Sequence, residues 1–174
     1  MSVSELRIMP ATAGVEDVKF RADRAQLSGT LHRPAGPPKA AIVLHGATGV
    51  PHRFYRHFAG WLAEQGYACL TYDYRDFGAS ASGHLKRSKA TMADWGVLDL
   101  SAAQRTLEGA VPDVPLWVMG HSLGGLMVPF QEGANRIARL ITVASGPRIC
   151  LTTLGRIALL QPRSGMGRGH GQPA

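Results

Sequence analysis

Four short, largely apolar runs constrain this 174-residue chain more than any other feature. They are Ala40-Ala41-Ile42-Val43-Leu44, Tyr67 to Tyr72, Leu116-Trp117-Val118-Met119 and Leu140 to Ala144. Each has the length of a strand and none alternates with polar residues, as expected for strands covered on both faces. Between them, apolar residues recur at helical spacing. Phe54, Phe58, Trp61 and Leu62 mark one helix, stopped by Gly66, and Trp95, Leu98 and Ala102 mark another ending near Gly109. A third, short helix follows the glycines at 124–125 and is ended or kinked by Pro129. Such alternation needs crossover connections and predicts an α/β chain with a mostly parallel sheet. Ahead of it, Val18, Phe20 and Ala22 share one face of an alternating run, and Leu27 to Leu31 forms a second, closed by Pro34. The pair predicts an antiparallel hairpin turning near Asp23–Arg24.

Composition narrows the class. Hydrophobic residues make up 45% and charged residues 18%, which excludes disorder for most of the chain and is enough for one core-bearing domain. Cys69 and Cys150 lie too far apart in sequence for a disulfide framework or a C-x-x-C metal pair. Met1 to Pro10 lacks the pattern of a signal peptide, and no apolar run approaches a membrane span, so a cytoplasmic protein is expected. The net charge of +7 would suit an acidic partner, yet all twelve acids lie at or before Glu132. Residues 147–174 carry four arginines and no acid, leaving +3 for the rest. Basicity thus belongs to the end of the chain, and a nucleic-acid surface there is the weaker partner reading. Past Gly146 the strand–helix pattern fails, and Gln161–Ala174 holds four glycines and two prolines in fourteen residues. The expected organisation is a partial α/β core over 1–146 and an atypical, disordered basic tail over 147–174.

Chemistry concentrates at Gly120-His121-Ser122-Leu123-Gly124-Gly125, which directly follows a predicted strand and opens a predicted helix. G-x-S-x-G in that context is a nucleophile elbow. A serine at so sharp a turn is forced into strained backbone geometry, and only small neighbours at Gly120 and Gly124 leave room for it. His45-Gly46-Ala47 follows the first buried strand, where a loop can lie beside the elbow. Acyl transfer builds charge on a former carbonyl oxygen, and the expected donors to it are the backbone N–H groups of Leu123 and Ala47.

Together with Tyr72-Asp73-Tyr74-Arg75-Asp76-Phe77-Gly78-Ala79-Ser80, these segments resemble the α/β-hydrolase superfamily. They look like its oxyanion loop, its D-x-R-x-x-G-x-S segment and its elbow, and the resemblance runs from Gln26 to Gly146. Within the superfamily the chain is most similar to serine esterases, lipases and serine-aminopeptidase-like members. The resemblance implies the α/β-hydrolase fold with an N-terminal antiparallel hairpin, cut short after the strand at 140–144. It also implies a small-molecule acyl substrate and attack by Ser122 on an ester, thioester or amide; no His/Cys/Asp cluster has ligand spacing, so no metal or organic cofactor is expected.

The superfamily orders its triad as serine, acid, histidine. After Ser122 the only acid is Glu132, read as a surface charge, and the only histidine is His170, between glycines near the end. Ser145-Gly146 stands where some members carry the acid. His121 adjoins the nucleophile but should diverge from it, and His52, His57 and His84 read as exposed polar residues. Asp76 stands where the resembling families commonly have glycine, and with Asp73 it is expected to serve the loop after the second buried strand. Two explanations follow: a truncated or frame-altered chain without a working triad, or a small hydrolase with an unusual base. Oligomeric state has no signal in the sequence.

Overall fold

The computed structural model describes residues 14–145, so the predicted tail at 147–174, with His170 and Cys150, lies outside the described residues. The apolar runs form four adjacent strands of a six-stranded sheet ordered β1-β2-β4-β3-β5-β6, the last of them at its edge. The hairpin strands β1 (Gly14–Ala22) and β2 (Ala25–Arg33) pair antiparallel around the predicted turn, where Asp23 adopts φ 54°. β2 then pairs antiparallel with β4 (Ala68–Tyr72). The strands β3 (Ala41–His45), β5 (Leu116–His121) and β6 (Arg139–Val143) complete a parallel block with β4.

Helices on both faces explain why β3 and β4 show no polar alternation. Val43 and Leu70 enter one core with Leu100, Ala103 and Leu107 of α2 (Leu100–Ala110). Ile42, Leu44 and Cys69 enter the other with Tyr55, Ala59 and Leu62, the last two on α1 (Arg56–Glu64). The stripe expected on this helix is therefore shifted. Phe54 and Trp61 are 65% and 51% exposed, and Phe58 stacks on Trp61 outside the core at 5.8 Å. The inward arc is 55, 59 and 62, spaced by four and three residues as one helix face requires. Among the described residues no helix is long and apolar enough to cross a membrane.

A π-helical turn, Asp94–Asp99, leads into α2 and delivers Asp99, which is fully buried, to Arg75. The Arg75 Nε and Nη2 donate to Asp99 Oδ1 at 2.8 and 2.7 Å, and the Arg75 backbone N–H donates to Oδ2 at 2.8 Å. Burial pushes the Asp99 carboxyl upward and Arg75 opposes it. Arg75 Nη2 also reaches the Ala22 carbonyl at 3.2 Å, which ties the hairpin turn to the parallel block. Removing either partner of such a pair would leave a buried charge uncompensated.

The loop after β4 holds Asp76 at φ 58°, the left-handed region where glycine carries no steric cost. Aspartate tolerates it here because both carboxylate oxygens are used, accepting from Ser82 Oγ and Ser88 Oγ at 2.7 Å each. A β-branched residue gains neither compensation. Asp76→Val should therefore lower stability by about 1–2 kcal/mol while Asp76→Gly stays near the parent, as read from urea unfolding midpoints of the three proteins.

Candidate active site

β5 runs through His121, and the chain reverses at Ser122 with φ 52° and ψ −116° before α3 (Leu123–Met127) begins. A non-glycine residue in that region is strained and persists only where its surroundings fix it. The Ser122 N–H donates to the Val143 carbonyl at 2.8 Å, and the Ser122 carbonyl accepts from Gly125 and Leu126. The flanking glycines are sterically required. A Cβ on Gly120 would lie 2.3 Å from Gly125 Cα, and one on Gly124 would lie 2.3 Å from the His45 carbonyl oxygen. Backbone meets backbone at both places, so neither contact can yield to a side-chain rotation.

The segment after β3 lies against this turn. Parallel pairing matches His45 with Gly120 as the last pair of the ladder, and Gly124, just past Ser122, lies on the carbonyls of His45 and Gly46. His45 is fully buried, with Nδ1 2.8 Å from Tyr72 Oη. Burial pushes its imidazole down to about 3, so it stays neutral and packs the loop. Tyr74 Oη donates to the Gly46 carbonyl at 2.9 Å. The Ala47 N–H, expected to face an oxyanion, donates instead to Tyr55 Oη at 2.9 Å. Tyr55 Oη in turn lies 2.9 Å from His121 Nδ1. Leu123 is the first residue of α3, so its N–H has no partner within the helix.

No imidazole among the described residues hydrogen-bonds Ser122. His121 turns to Tyr55, while His57 and His84 are exposed, as expected. Glu132 is a surface charge, paired with Arg105 at 2.9 Å. Ser145 Oγ donates to the Gly120 carbonyl at 3.2 Å. His52 corrects the sequence reading, because its side chain is only 15% exposed and is fixed to Asp73. Asp73 Oδ1 accepts the His52 N–H at 2.6 Å, and Asp73 Oδ2 lies 2.8 Å from His52 Nδ1. An ionised carboxylate can only accept, so Nδ1 carries the proton, and in the neutral ring Nε2 is the basic atom. Asp73 is buried, yet its pairing with His52 and the Ala79 N–H holds the carboxyl below its ordinary range.

This histidine–carboxylate pair has the form of a base with its orienting acid, but it faces the wrong strand. His52 Nε2 lies 3.3 Å from Thr30 Oγ1 on β2. From β2 to β5 there are three strand steps, or roughly 14 Å at the usual spacing, far beyond hydrogen-bond reach. His52 of the pair borders an open groove of about 560 Å³ between α1 and the hairpin side of the sheet, where Asp17, His32, Arg56 and Trp61 also line the wall. Nothing in the local pattern announces the pair, since its members lie 21 positions apart and meet only because β3 and β4 are parallel neighbours. Among the described residues no cluster of three or more His, Cys, Asp or Glu could hold a metal ion.

Comparison with known proteins agrees with this geometry. Residues 36–154 match the model of the serine aminopeptidase S33 family. The chain belongs to that family. The quorum-quenching protein AidA of Acinetobacter baumannii is 31% identical over 132 residues, which are 72% of this chain and 42% of that protein. The chain thus spans less than half the length of this relative. A carboxyl esterase from Bacillus coagulans superposes with a TM-score of 0.63 at 20% identity, covering 75% of this chain and 44% of that one. A lidless α/β serine hydrolase from Xanthomonas campestris gives 0.60 at 17% identity, covering 74% and 60%. These structures share the α/β-hydrolase fold, which the S33 chain carries as a partial core of hairpin and parallel strands.

Because burial lowers the imidazole of His45 from an ordinary 6.5 to about 3, unfolding takes up a proton wherever pH lies between those values. The neutral-His45 contribution to stability is complete above about pH 6.5 and declines as pH falls toward 3. His32 shifts in the same direction, through burial and then the nearby His52. Urea unfolding should therefore show stability falling from neutral pH to about pH 4, with a smaller decline in His45→Asn. A profile equally steep in parent and variant would contradict the assignment.

Proposed function

We propose that this chain is a serine hydrolase that acts on a carboxylic ester, thioester or amide through an acyl-enzyme on Ser122. The observation that carries it is the strained turn itself: φ 52° at a serine with a glycine two positions away on each side, both in backbone contact. Strain of this kind, maintained between a buried strand and a helix start, exposes a hydroxyl and serves no packing purpose. In the proposed reaction Ser122 Oγ attacks the acyl carbon and loses its proton to a base. The tetrahedral intermediate then collapses, the leaving group departs protonated, and water releases the acid. The substrate is a small acyl compound, in keeping with esterase neighbours of the same fold.

A specific observation favours a second reading, a family member without catalysis: the described residues place no base beside Ser122. The two readings differ measurably, because only the hydrolase reading makes turnover depend on the Ser122 hydroxyl. Hydrolysis of a short-chain p-nitrophenyl ester should exceed background with the purified chain and return to background with Ser122→Ala. Equal rates from two folded, soluble preparations would overturn the hydrolase reading in favour of the non-catalytic one.

A further inference from the structure

The donor that a backbone oxyanion hole would need on the β3 side is already engaged. Ala47 is 7% exposed and its N–H is donated to Tyr55 Oη, itself on a residue 8% exposed. An amide so committed has no second hydrogen to give to an acyl oxygen. The group standing in front of it is a phenol. The Tyr55 ring is held on several sides: edge-on to Phe54 at 5.2 Å, edge-on to His121 at 6.0 Å, and against Gly46, where an added Cβ would lie 3.2 Å from Tyr55 Cε2. Tyr55 also belongs to the buried arc that packs on the sheet. Its hydroxyl is therefore positioned by packing before any substrate arrives.

The hydrogen inventory of that hydroxyl is informative. Oη has two lone pairs and one proton. One lone pair receives the Ala47 N–H. The remaining contact is His121 Nδ1 at 2.9 Å. With His121 protonated on Nε2, the Tyr55 proton points to Nδ1. With His121 protonated on Nδ1, both lone pairs are filled and the phenolic proton is left to donate elsewhere. His121 precedes Ser122 directly, and Ala47 follows Gly46, whose carbonyl packs against Gly124 of the elbow. The free proton thus belongs to a group held both by the residue that precedes Ser122 and by the loop that packs against the elbow.

We propose that the Tyr55 hydroxyl, polarised by the Ala47 N–H, is the oxyanion donor on the β3 side of Ser122, opposite the Leu123 N–H. The assignment rests on the acyl-enzyme reading above. Donation by Ala47 to Oη withdraws electron density and strengthens the O–H as a donor. No proton is transferred: the phenol shifts its hydrogen bond from His121 Nδ1 to the developing O⁻, and Nδ1 accepts a hydrogen bond from water in its place. Burial raises the Tyr55 pKa above its ordinary value, outweighing the opposing bond from Ala47, so the hydroxyl keeps its proton through neutral pH.

The test is ester hydrolysis by the full chain, with Tyr55→Phe, Ser122→Ala and a protein carrying 3,5-difluorotyrosine at position 55. Tyr55→Phe keeps the packed ring and should lower kcat about 10²-fold with KM little changed, the size of effect for one lost oxyanion donor. Difluorotyrosine keeps the hydroxyl and should restore most of the rate, while moving the alkaline limb of the pH profile downward because its phenol ionises earlier and a phenolate cannot donate. A purely packing role would leave that limb in place. A Tyr55→Phe protein as fast as the parent or faster would show that the hydroxyl blocks the Ala47 amide, and would overturn the proposal. An alkaline limb unmoved by fluorination would do the same. Parent activity equal to that of Ser122→Ala is a separate result: it overturns the hydrolase reading, and the Tyr55 assignment with it.

Discussion

The contact on which the site depends is backbone against backbone. Gly124 lies on the carbonyls of His45 and Gly46, and Gly120 lies on Gly125, each at a separation that leaves no volume for a methyl group. This closeness fixes three things together: the left-handed serine, the start of α3, and the position of the loop after β3. A side chain at either glycine would push the turn off the loop, and the geometry would be lost without any change to Ser122. The strain at Ser122 is thus maintained by packing that the serine itself does not make.

Two buried carboxylates extend this order toward the hairpin. Asp99 holds Arg75, which holds the Ala22 carbonyl. Asp73 gathers the His52 N–H, the His52 ring and the Ala79 N–H, and its carbonyl accepts Ser80 Oγ. Both act as hubs for irregular backbone that the sheet does not satisfy. The segment around Asp73 and Arg75, which resembles a superfamily motif, is in this light a set of loop anchors. Asp76, beside it, takes over a left-handed position by bonding two serines.

Much of the architecture was legible because burial on two faces writes itself as unbroken apolar runs. All four runs became strands, and Asp23–Arg24 became the hairpin turn. The elbow was legible for a steric reason, since two glycines at fixed spacing from a serine have few other uses at a strand end. What escaped was set by long-range contact. Trp61 and Phe58 have the composition of a core face, yet the curvature of the loop before α1 turns Tyr55 and Ala59 inward in their place. His52 reads as a polar loop residue because Asp73, its partner, lies 21 positions on, just past the end of β4. The engagement of the Ala47 amide by Tyr55 needs a tertiary contact across eight residues that no periodicity encodes.

The sheet order also separates two polar centres, His52–Asp73 facing the hairpin and Tyr55–His121 facing the serine, although both are reached from the single turn His52–Tyr55. That turn works as a rigid spacer. Its first residue is anchored on one side of β3 and its last on the other, so each centre can be redesigned with little reference to the other side chains. For an engineer this is modularity: substitutions in the two centres share no direct partner and should combine close to additively, provided the short turn between them keeps its shape.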